Sequence, residues 1–144
     1  MTLYAARLLD LPPLTAAAAF ESVLSSLQLR AGAARLELAS VGPVDRVSSV
    51  SPYSSAPGRL RFPGRSRGAS VEVEAGVWSH RAVELGVRPI GRTGNVDRYA
   101  DAAHAVLAVL AGRMHTWVDQ QLESAVEAVF VHPARRERQA PPRP

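Results

Sequence analysis

The strongest constraint on this chain is a long helical stripe near its C-terminal end. From Asn95 onward, Tyr99, Ala103, Val106, Leu110, Met114 and Trp117 follow at steps of four, three, four, four and three. That spacing lines one face of an α-helix. Asn95 can cap the helix, and Asp97 lies near the positive end of its dipole. Beyond Val118 the apolar set changes to Leu122, Val126, Val129 and Phe130. At ~100° per residue it sits roughly 90° or more around from the first stripe. One straight helix cannot bury both faces against one sheet, so either the helix bends to contact something else or a second helix begins. Pro133 ends the run.

Upstream, Thr2–Leu9 suits a first strand, and Leu11-Pro12-Pro13 interrupts it because proline has no N–H to donate. Ala16–Leu29 reads as a helix, with Phe20, Val23, Leu24 and Leu27 at helical spacing. It starts either at Thr15 as a cap or with Pro12 and Pro13 in the first turn. After Gly32 the period shortens to two. Arg35–Leu38, Arg59–Phe62, Val71–Glu74 and Val83–Arg88 alternate polar and apolar residues, and Arg46–Val50 is a weaker strand. Such alternation predicts antiparallel strands with one dry face. Ala56–Gly58, Pro63–Gly68 and Gly76–His80 are the expected hairpin links. The expectation is an α+β fold, an antiparallel sheet of about six strands packed on a long C-terminal helix. One domain covers residues 1–131, and 132–144 is a disordered Arg/Pro-rich tail.

This order of elements resembles the START-like (SRPBCC) superfamily, whose helix-grip fold curls an antiparallel sheet around a long C-terminal helix. The resemblance runs through the opening strand, Pro12-Pro13 and the helix after it, the meander to Val87, and the Asn95–Val118 helix. It rests on element order, with no residue motif. The family usually has two short helices after strand one and six strands in the meander, against one and five here. The resemblance implies a cavity between sheet and helix for lipids, polyketides or other apolar ligands.

Several chemistries find no support. The chain has no cysteine, which excludes disulfides, thiolate metal sites and cysteine nucleophiles. Asp97, Asp101, His104, His115 and Asp119 share one arc of the long helix, but the two histidines are eleven residues apart, about 16 Å. They cannot ligate one ion, and the stripe reads as a solvated face. Ser48, Ser49, Ser51, Ser54 and Ser55 lack a nucleophile elbow. Gly91–Asn95 lacks the spacing of a phosphate-binding loop and reads as a turn and cap. No catalytic residue, metal site or cofactor is expected.

The pI near 10.6 invites a nucleic-acid reading. All 17 basic residues are arginine, however, and Ile90 and Asn95 are the only residues of their types. That bias is the mark of a GC-rich bacterial genome. From Arg135 onward the tail holds four Arg and one Glu, which leaves 13 Arg against 12 acidic residues in the body. The Arg59, Arg61, Arg65 and Arg67 cluster has only Phe62 nearby to stack a base, so nucleic acid is disfavoured as a partner.

Two readings lead. In the first, Leu60, Phe62, Tyr99, Val106, Leu110 and Trp117 line a cavity that holds an apolar small molecule or lipid, a set too poor in ionisable groups for acid–base chemistry. In the second, Leu122, Val126, Val129 and Phe130 form an interaction surface, including one for a homo-oligomer. Trp117 falls on the core stripe. Trp78 is expected in a turn, guarding a cavity mouth or packing over a hairpin end. No basic leader and no apolar run of spanning length is present, so a cytoplasmic protein without a membrane span is expected.

Overall fold

A computed structural model describes residues 5–24, 28–32, 34–38, 52–61, 70–79, 81–90 and 96–130. The elements run β1 (Ala5–Leu8), α1 (Pro13–Val23), β2 (Gln28–Ala31), β3 (Ala34–Leu38), β4 (Pro52–Arg61), β5 (Ser70–Ser79), β6 (Val83–Pro89) and α2 (Val96–Phe130). The strands form one antiparallel six-stranded sheet in the order β1-β6-β5-β4-β3-β2. Strands β2 to β6 are a meander, and β1 pairs with the free edge of β6, Ala5 opposite Val87.

Among the strands, α2 packs chiefly against β1, β2 and β3, which means it touches strands from opposite edges of the sheet. At ~4.8 Å per strand, the edges of a flat six-stranded sheet lie roughly 24 Å apart. A helix with its side chains is only ~10 Å across. One helix reaches both edges because the sheet curls around it, the arrangement of a helix-grip fold. The shorter α1 covers the middle, packing on β4, β5 and α2.

Alternation supplies the dry face. Leu36, Leu60 and Val71 are cross-strand neighbours, as are Ala56, Ala75, Val87 and Ala5, and all are buried. The alanines of the second row leave depth for α1, whose Phe20 is fully buried. Ser54, inward and fully buried, donates to Glu21 Oε1 at 3.2 Å and ties β4 to α1. A buried hydroxyl needs such a partner.

Three expectations are corrected, and the open choice of helix start is decided. The first helix does not reach Leu29; it stops at Val23, and Gln28–Ala31 is a strand. Leu29 faces inward opposite Leu36, while Arg30 is exposed. Pairing with β3 through a two-residue turn overrides the helical spacing of Leu24 and Leu27, and Gly32 at φ 59 supplies the left-handed residue that turn requires. The helix begins with Pro12 as its cap and Pro13 in its first turn, so Thr15 is interior. Ala56–Gly58 is no link but the interior of β4, where Pro57 stands opposite Glu74 of β5. Gly76 to Ser79 likewise belongs to β5.

The second apolar stripe begins no second helix: α2 is continuous from Val96, directly after Asn95, to Phe130, about 52 Å at 1.5 Å per residue. Arg46–Val50, Pro63–Gly68, Gly91–Asn95 and the tail from residue 131 lie outside the described residues.

A Cβ on Gly76 would lie 2.7 Å from the Ser54 carbonyl oxygen, whereas one on Gly112, inside α2, would meet nothing within 4 Å. Gly76→Ala is therefore expected to cost about 1–3 kcal/mol. Gly112→Ala should instead gain about 0.5–1 kcal/mol from helix propensity. Urea unfolding of both variants measures the opposite signs.

Candidate interaction surface

The helix α2 has two environments. Along its first part Ala102, Ala103, Val106, Leu107, Leu110, Ala111 and Met114 are buried, with Tyr99, Trp117 and Val118 half-buried against the same core. From Asp119 to Val129 every residue is exposed, so about 16 Å of helix projects past the core. Leu122, Val126 and Val129 are 63%, 48% and 45% exposed. Phe130 ends the helix, and its side chain is outside the description. An isolated peptide of this length is marginal as a helix, but this one extends a helix already anchored. It avoids a nucleation penalty of order 10⁻³, about 4 kcal/mol.

The projection has a patterned surface. Val118, Leu122, Ala125 and Val129 are spaced four, three and four apart, the seam spacing of a two-stranded coiled coil. Glu123 and Glu127 point away from that seam, Asp119 lies at its edge, and the other flank carries Gln121 and Ala128.

The candidate cavity residues sit elsewhere. Leu60, Val106 and Leu110 are fully buried members of one contiguous core. Tyr99 and Trp117 pack at its margin. Phe62 lies outside the described residues. The structure thus gathers Leu60, Val106 and Leu110 with their two half-buried neighbours and holds them apart from Leu122, Val126 and Val129.

The sheet's outer face is polar. A shallow groove of about 270 Å³ runs there between Glu37, Leu38, Pro57, Gly58, Arg59 and Glu72. Arg59 pairs with Glu72 at 2.9 Å, and Glu37 receives Arg35 at 2.7 Å and Arg61 at 3.4 Å. Two arginines of the basic cluster are thus committed to carboxylates of neighbouring strands; Arg65 and Arg67 are outside the described residues. These pairs are largely solvated and contribute at most about 1 kcal/mol each.

Trp78 is not in a turn. It lies in β5, 7% exposed, on the face opposite inward Val77. Its ring passes over Gly76, where a Cβ would come within 3.2 Å of Cη2. The Arg88 guanidinium, itself paired with Glu74, stands 5.8 Å from the ring centroid, a cation–π arrangement. The buried Nε1 has no hydrogen-bond partner among the described residues. Uninterrupted alternation of Val71, Val73, Ala75 and Val77 was the signal that would have extended the strand through Trp78.

On α2, Asp101, His104 and Asp119 are exposed and His115 half-buried. Among the described residues no three potential metal-binding side chains come together. None of the described helices is long and apolar enough to cross a membrane. Comparison of the chain with protein-family models, curated proteins and solved structures found no significant match.

The two halves of α2 should differ in what their leucines contribute. Leu110→Ala is expected to cost about 2–5 kcal/mol through the cavity it leaves. Leu122→Ala in dilute solution should change stability by no more than about 0.5 kcal/mol. Urea midpoints of the two variants make the comparison.

Proposed function

We propose that this chain is a cytoplasmic interaction module that docks another helix on the projecting C-terminal part of α2. The observation that carries this reading is the unbroken exposure of Asp119–Val129 on a continuous helix whose apolar residues keep a seam spacing. Leu122, Val126 and Val129 contribute nothing to the domain's own core, yet they sit on one side of a helix already held in shape. Preorganisation of this kind lowers the ordering cost of association. In extract from cells expressing the full chain, the wild type is expected to elute larger than a monomer. The double variant Leu122→Glu/Val129→Glu should elute as a monomer with an unchanged urea midpoint. Identical elution of the two at monomer size defeats the reading.

A second reading is favoured by the curled sheet and the helix it grips. It makes the chain a START-like domain that holds an apolar small molecule between sheet and α2, bordered by Leu60, Tyr99, Val106, Leu110 and Trp117. The ligand would displace side chains that now pack against one another, so it would be bound in a more open form of the domain. Native mass spectrometry of the purified protein is the test. A stoichiometric apolar adduct released on denaturation supports this reading, and a bare chain mass argues against it.

A further inference from the structure

Resting on the interaction reading, we propose that the docked helix is α2 of a second copy of this chain, crossing antiparallel over Val118–Val129. Three features of the projection single out this occupant.

The first is size. In an antiparallel crossing centred between Leu122 and Ala125, Leu122 faces Ala125 of the second copy and Val118 faces its Val129. Each central layer then holds one large and one small side chain, and each outer layer two valines, so the seam fills evenly without a void or a clash. The same stripe set parallel would stack Leu122 on Leu122 and Ala125 on Ala125, alternately crowded and empty.

The second is charge. The stretch from Asp119 to Phe130 carries Asp119, Glu123 and Glu127 and no basic residue. Residues 1–118 hold 13 Arg against nine Asp and Glu, so the body carries a formal +4 against −3 for this stretch. An antiparallel crossing directs each acidic projection towards the basic body of the other copy. Along the seam itself no acids meet: Asp119 falls beside Val126 of the second copy, Gln121 falls beside its Ala128, and Glu123 and Glu127 point outward.

The third is room. The body ends at Val118, and Asp119–Val129 is exposed on every side. An antiparallel crossing leaves the two bodies at opposite ends of the paired segment, whereas a parallel one brings them side by side at its base. The seam is short, below the ~1,200 Å² of standard interfaces, so dissociation in the micromolar range is expected.

Sedimentation equilibrium of the purified full chain over about 1–500 µM tests the proposal, a range that brackets micromolar dissociation. The wild type is expected to pass from monomer to dimer, while Leu122→Glu remains monomeric with its urea midpoint unchanged. The chain has no native cysteine, so introduced thiols report the register. A mixture of Leu122→Cys and Ala125→Cys chains should oxidise predominantly to the mixed dimer. A wild type monomeric throughout overturns the proposal, as does a dimer that survives Leu122→Glu. Predominant cross-linking of Leu122→Cys to itself overturns the antiparallel register. If the purified chain is monomeric but the wild type still elutes as a larger species in extract, self-pairing fails while the interaction reading stands. If both experiments give monomers, both fall.

Discussion

A single helix touching both ends of a six-stranded sheet fixes most of this architecture. For α2 to meet β1 and β2 at once, the sheet must close most of the way around it, and each inward position must be sized for the resulting gap. Leucines and valines such as Leu29, Leu36, Leu60, Val73 and Leu85 fill inward positions across the sheet. Alanines occupy the row through Ala5, Ala75 and Ala56, where α1 comes down onto the middle strands. The four-residue β1 could not stand alone as an edge: Ala6, Arg7 and Leu8 are exposed, and only Ala5 and Leu9 anchor it in the core. Its place depends on β6 on one side and α2 beneath.

The sequence disclosed those parts whose periodicity is long. The stripe from Tyr99 to Trp117 identified α2, runs of four to six alternating residues identified parts of β3, β4, β5 and β6, and the change of apolar face after Val118 was visible as a change of angle. Short elements were another matter. Gln28–Ala31 has too few residues to show a period, and its leucine also fits the preceding helical run, so only pairing with β3 decides its state. Pro57 and Gly76 look like breaks because each is a poor strand residue in isolation. Each is settled by a local reason, pairing opposite Glu74 of β5 in one case and a carbonyl at close approach in the other. Neither reason can be read before the register is known.

Register also reorganises the charges. In linear order, Arg59 and Arg61 stand in a stretch free of acidic residues, which suggests a basic loop. Across the strands Arg59 faces Glu72 and Arg61 reaches Glu37, so the same residues form a ladder of opposite charges on the outer sheet face. The candidate site was legible for a different reason. An apolar side chain that belongs to no core is recognisable from its angle on the helix alone, without knowledge of which strands surround it.

The place where α2 leaves the body coincides with Trp117, half-buried at the core margin, one residue before the projection's seam begins. The chain's only other indole, Trp78, is enclosed on the far side of the sheet beside Arg88. The protein thus carries two built-in optical reporters, one against the core and one on the outer face of the sheet. Emission from Trp117 responds to water at the root of the projecting helix, and emission from Trp78 to the integrity of the outer sheet face. Events at the helix end can therefore be followed by light without attaching any label.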